Sequence, residues 1–178
     1  MNRLRIRSFA GYNAWANRRL YDAAAQLEDA DYRADRGAFF RSVHGTLNHL
    51  LVADRIWMRR FTGEGDAPKR LDVILYDRLE DLRLAREAED ARIVAFARGL
   101  TEETLAGSIR YARVTTGEVF AQPLAPALDH FFNHQTHHRG QVHALLTGLG
   151  VEAPELDLLF YHRDSGEGAS VKVADVRS

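Results

Sequence analysis

Five of the eight histidines crowd into one stretch, Asp-His-Phe-Phe-Asn-His-Gln-Thr-His-His-Arg-Gly-Gln-Val-His, which holds His130, His134, His137, His138 and His143. Neutral imidazoles suit borderline-soft divalent ions, and residues four apart on a helix share a face, so pairs within this run can clamp a metal. Placing His134 at zero and turning about 100° per residue, the apolar residues Leu124, Ala127, Leu128, Phe131, Phe132, Val142, Leu145, Leu146 and Leu149 fill a sector of about 20° to 160°. His138 falls inside that sector and His134 at its edge. His130 and His137 lie outside it and His143 points to the opposite side, so these three read as solvated or interface histidines. A single histidine on such a face is commonly a hydrogen-bonded boundary residue. A second one four residues on adds little packing and supplies what a divalent ion needs, which makes His134 and His138 the candidate ligands.

Two imidazoles make a weak site, so a third ligand should come from a neighbouring helix. His44 and His49, in Val-His-Gly-Thr-Leu-Asn-His-Leu-Leu, are the candidates. Both flank the apolar sector of their own helix by similar amounts, and helical geometry leaves the choice open. Asp54 falls within that apolar sector and must be paired, with an arginine in a structural ion pair or with a ligand as its orienting partner. No Glu-x-x-His or His-Glu-x-x-His occurs, which argues against a ferritin-like dimetal centre and a zincin protease, and Gly-rich phosphate loops are absent. With no cysteine, thiolate metal sites, iron–sulfur clusters, disulfides and a cysteine nucleophile are excluded.

The elements that position these residues are helical. Apolar positions recur at steps of three and four, between Gly/Pro breaks too far apart for strands. Long helices are expected over 3–27, 39–61 and 74–96, and a fourth from after Pro123 and Pro126 to the Gly148-Leu149-Gly150 stop. Between the third and fourth, 108–114 and 118–120 flank Thr115-Thr116-Gly117 and read as a β-hairpin. The segment 156–161 is apolar and is expected to dock on the helices. The expected fold is all-α: a four-helix bundle over residues 1–164 with a crossover connection carrying the hairpin, then a loose C-terminal tail, 165–178.

At 178 residues and 20.1 kDa, one domain is the default. Lys+Arg of 24 against Asp+Glu of 25 gives 24 − 25 = −1, with both signs interspersed, so nucleic acid is not an expected partner. The amphipathic, charged start Met-Asn-Arg-Leu-Arg-Ile-Arg resembles neither a signal peptide nor a membrane span, so a cytoplasmic location without membrane contact is expected.

Three stretches resemble the DinB (damage-inducible) proteins of the DinB/YfiT-like metalloenzyme group. They are Tyr-Asn-Ala-Trp-Ala-Asn-Arg-Arg-Leu from Tyr12, Leu-Asn-His-Leu-Leu-Val-Ala-Asp-Arg-Ile-Trp from Leu47, and Asn-His-Gln-Thr-His-His-Arg-Gly-Gln from Asn133. The resemblance implies a four-helix bundle with an unusual crossover, a homodimer, and one divalent metal held by His49, His134 and His138, leaving His44 a bystander. Three histidines leave a coordination position open, as in catalytic sites. Zinc is the first expectation, with nickel or another first-row ion next. Relatives in the wider group imply a stress or detoxification enzyme that uses a low-molecular-weight thiol on a small-molecule substrate, or a hydrolase. The competing class is a metal-binding dimer without turnover.

Overall fold

The protein is described by a computed structural model covering residues 2–168 and 173. It is mostly helical, with one two-stranded antiparallel sheet. Four long helices, α1 (Arg3–Ala24), α3 (Val43–Thr62), α4 (Leu79–Gly99) and α6 (Leu124–Gly148), are joined through α2 (Asp29–Arg33), α5 (Glu102–Leu105), β1 (Ser108–Ala112) and β2 (Val119–Pro123), and α7 (Leu158–Ser165) follows. Both α1 and α3 pack on α4 and α6, while the hairpin lies with β1 against α3 and β2 against α6.

The helix ends follow from local chemistry. Asn2 caps α1 by accepting from the Arg5 N–H at 3.0 Å, and Ser42 caps α3 by accepting from Gly45 at 3.0 Å. At the other end of α3, Gly63 takes φ +77° and its N–H bonds the Arg59 carbonyl. The expected helix starting at 39 begins only at Val43. Residues 38–41 instead form a tight turn closed by Arg41 N–H to the Ala38 carbonyl at 2.8 Å, with Arg41 at φ +68°. The expected helix from 74 starts at Leu79, because the Asn48 side chain takes the backbone N–H groups of Leu75 (2.8 Å) and Tyr76 (3.0 Å) and holds them out of a helix. The first helix stops at Ala24 rather than 27, and α2 and α5 were not expected. The hairpin forms, with its first strand ending at Ala112 rather than 114 and its second running from Val119 to Pro123 rather than over 118–120, and with Ile109 opposite Gln122 and Tyr111 opposite Phe120. The 156–161 segment docks on α1: the Tyr12 hydroxyl donates to the Leu156 carbonyl at 2.7 Å, and Tyr161 packs on Tyr12 and Ala16. Of the expected tail, 165–168 comprises the end of α7 and a short bend, and the rest apart from 173 lies outside the described residues.

Two large apolar clusters and the small one of Tyr12, Ala16 and Tyr161 make the core. One large cluster gathers Ile6, Ala10, Trp57, Met58, Ile93, Leu128 and Phe131; the other gathers Leu20, Tyr21, Leu47, Leu51, Leu82, Val142 and Leu146. Between them every long helix contributes buried polar residues: Asn13 and Asn17, Asp54, Arg86 and Asp90, Gln135 and Arg139. On α6 the histidine cluster adjoins this layer, His134 preceding Gln135 and His138 preceding Arg139.

Candidate metal centre

His49 lies on α3, and His134 and His138 lie one turn apart on α6. The structure brings all three together, with one ring nitrogen from each within 4.8 Å of the others. His49 and His138 face each other, Nε2 to Nε2, at 3.2 Å. Their outer nitrogens are occupied: His49 Nδ1 lies 2.8 Å from the Leu71 carbonyl, and His138 Nδ1 lies 2.7 Å from Gln141 Oε1. Both partners are acceptors, so each imidazole carries its proton on Nδ1 and turns the Nε2 lone pair inward. Two lone pairs at that separation repel unless a cation lies between them. The donor set therefore fits a divalent ion.

The loop bearing Leu71 is held by Asn48, whose amide nitrogen donates to the Tyr76 carbonyl at 3.1 Å while its oxygen takes the two N–H groups described above. Gln141 is fixed in turn by its amide nitrogen, 3.2 Å from His137 Nε2. Phe40 covers the cluster, its ring stacked on His49 at 3.7 Å and set edge-on to His138 at 5.6 Å. That placement depends on Gly45, where a Cβ would collide with the Phe40 carbonyl oxygen.

Burial sets the electrostatics. It pushes His49 down to about 4, against the raising effect of the Leu71 carbonyl, and His134 down to about 3, helped by the positive charge His138 and His49 would carry. His138 is lowered for the same first reason. All three imidazoles are neutral at pH 7, as metal binding requires.

His44 is elsewhere: it is buried, its Nε2 is 3.2 Å from the Tyr76 carbonyl and its ring packs on Tyr32. His137 is exposed and braces Gln141, His130 is exposed with its ring against Trp57, and His143 is half-buried. Asp54 is paired with an arginine: Arg86 donates to it at 2.6 Å and Gln135 at 3.0 Å. Burial raises Asp54 to about 6, and the Arg86 guanidinium at 2.6 Å and Gln135 oppose this by favouring its charged form. Arg86 also reaches Asp90 at 3.0 Å, and Asp90 accepts from Asn13 (2.9 Å) and Asn17 (3.0 Å). Arg139 joins this network by donating to Asn13 Oδ1. The sequence reading assigned no part to Phe40, Leu71, Asn48 or Gln141. For Asn48 the signal was present, as an amide flanked by the core positions Leu47, Leu50 and Leu51. A backbone carbonyl such as that of Leu71 leaves none.

A mostly helical protein with three converging imidazoles defines a class, and comparison with known proteins narrows it. The model of the DinB family matches residues 1–169, and the chain belongs to that family. It is 25% identical over 161 residues to Protein DinB of Bacillus subtilis (strain 168), an alignment covering 84% of this chain and 89% of that protein. Its fold is similar to that in the crystal structure of a DinB-like protein from Bacillus cereus ATCC 10987, with a TM-score of 0.59 and 19% identity over 81% of this chain and 90% of the other.

Proposed function

We propose that this chain is a metal-dependent enzyme in which His49, His134 and His138 hold one divalent ion, zinc in the first instance, and that it transfers or activates a thiol or, failing that, hydrolyses a small substrate. The observation that carries the reading is the pair of inward Nε2 lone pairs at 3.2 Å, with both outer N–H groups committed to acceptors. When bound, such an ion would supply Lewis acidity, making a coordinated thiol or water nucleophilic near neutral pH. The protein's own residues do the rest. Leu71 and Gln141 set the tautomer and aim of two rings, Phe40 and the burial around His49 exclude water, and three ligands leave a position for substrate. In this reading the four long helices are a four-helix bundle with a crossover carrying the hairpin, and the protein acts as a homodimer in the cytoplasm, in stress or detoxification.

One observation favours a second reading, an ion that fastens α3 to α6 without turnover. Asp54 is occupied by Arg86 and Gln135, and among the described residues no carboxylate joins the cluster as a general base.

Elemental analysis and chelator competition, followed by conjugation of chlorodinitrobenzene with a panel of cellular thiols, test the proposal. One zinc per chain and metal-dependent turnover are expected, both lost in His134→Ala. Zinc binding without turnover of any thiol or ester favours the second reading, and no zinc binding overturns both.

A further inference from the structure

On the face where α3 meets α6, a row of rings continues past the imidazoles. His49, Ala53 and Trp57 succeed one another at four-residue steps on α3, and His138, His134 and His130 do so on α6 in the opposite direction. These rows pair His49 with His138 at one end and Trp57 with His130 at the other. The ring of His130 lies 5.8 Å from that of His134 and 5.1 Å from that of Trp57.

Arg60 closes this end. Its guanidinium carbon stands 4.4 Å from the centroid of Trp57 and 4.3 Å from that of Tyr111 on β1. One Nη makes a long hydrogen bond, 3.4 Å, to the Ala112 carbonyl. Among the described residues no carboxylate faces it, and the charged or titrating neighbours are Tyr111 and His130. The buried Arg86, by contrast, has Asp54 and Asp90, and Arg92 has Glu89. A half-buried cation stacked between two rings has its fork fixed in place while its charge is uncompensated, an arrangement that an incoming anion completes. A guanidinium fork matches the two oxygens of a carboxylate.

We propose that Arg60 is the anion-recognition residue of the metal site: a substrate whose reacting atom reaches the three imidazoles lies along the row His134, His130 and Trp57 and carries a carboxylate roughly two helical turns, about 11 Å, away, where the guanidinium binds it. This rests on the metal reading above. It goes further by naming a substrate class, elongated monocarboxylates or thiol carboxylates, and a residue that selects them.

The test titrates zinc-loaded protein with mercaptooctanoate and with mercaptooctanol, a pair of matched length that differ in the terminal charge, and follows the fluorescence of Trp57 and binding heat. The carboxylate is expected to bind roughly tenfold tighter, the scale of one hydrogen bond to a charged group. Arg60→Gln should abolish that preference while still binding the alcohol, and Arg60→Lys should keep part of it. If Arg60 only clamps the hairpin to α3, Arg60→Gln lowers the melting temperature and leaves the preference intact, which overturns the assignment. Equal binding of the two ligands by wild type, or binding of neither by protein shown to hold zinc, overturns it as well. Failure to take up zinc, read separately by chelator competition, is instead the failure of the metal reading.

Discussion

At the scale of single residues, the site is a matter of which nitrogen carries the proton. Gln141 fixes this for His138, and truncating it should weaken zinc binding by about 10- to 100-fold, the usual cost of losing a partner behind a metal ligand. Chelator competition on Gln141→Ala checks this, and unchanged affinity would show that the hydrogen bond does not aim the ring. The metal-free protein should also report the buried imidazoles through pH. His49 and His134 titrate near 4 and 3 in the folded protein, below the ordinary 6.5, so the unfolded chain binds more protons over that window. Their neutral forms favour folding above pH 6.5, and that contribution is lost as pH falls towards 4 and 3. Asp54, raised to about 6, has the opposite slope down to its ordinary value, so the histidine part must be isolated by difference. Urea denaturation of metal-free wild type against His49→Gln/His134→Gln between pH 4 and 7 does this. The wild type should lose more stability on acidification than the double variant, and parallel curves would contradict the burial of these rings.

At the scale of elements, the turn before α3 matters as much as the helix. Gly45 admits the Phe40 carbonyl, and through it the Phe40 ring reaches His49. Gly45→Ala should destabilise the protein by about 1–3 kcal/mol, as overpacking does, and increase solvent access to His49. Thermal melts and hydrogen exchange at the α3 N-terminus measure both effects; a neutral substitution would mean the turn moves freely. This turn also shows where sequence reading stopped. Phe39 and Phe40 continue the apolar periodicity of α3, and periodicity alone extends the helix through them. The positive φ of Arg41 and the Ser42 cap end it, and neither leaves a hydrophobic trace. Residues 74–78 stay out of the third long helix for a similar reason, the Asn48 side chain, 27 and 28 positions away, taking the N–H groups of Leu75 and Tyr76. The hairpin and the end of α6 were legible because Thr115-Thr116-Gly117 and the Gly148-Leu149-Gly150 stop are local signals, whereas α6 starts at Leu124 and not after Pro126, because a proline is tolerated in the first turn of a helix. On α6, angular position alone selected His134 and His138, two of the three histidines that converge. The choice of His49 over His44 needed family resemblance, since both are buried on the same helix and only their partners on other segments distinguish them.

At the scale of the molecule, the two apolar clusters are separated by a polar layer to which all four long helices contribute. Asp54 and Arg86, 1% and 2% exposed, link α3 to α4, and Asp90, Asn13 and Arg139 carry the layer on to α1 and α6. Removing one carboxylate leaves Arg86 short of a partner, so Asp54→Ala should cost about 3–5 kcal/mol in urea denaturation, and a loss under about 1 kcal/mol would mean that water replaces the pair. The layer also supports the histidine cluster from behind, because Gln135, bonded to Asp54, follows His134 directly on α6. Among the described residues no helix is long and apolar enough to cross a membrane. Everything proposed about chemistry depends on the three imidazoles binding one ion together. Zinc K-edge X-ray absorption on protein loaded with one equivalent addresses this directly: the expected spectrum has three imidazole nitrogens at about 2.0–2.1 Å and a remaining light-atom ligand. A spectrum without a three-imidazole shell, or one unchanged when His49, His134 and His138 are all replaced by alanine, would contradict it.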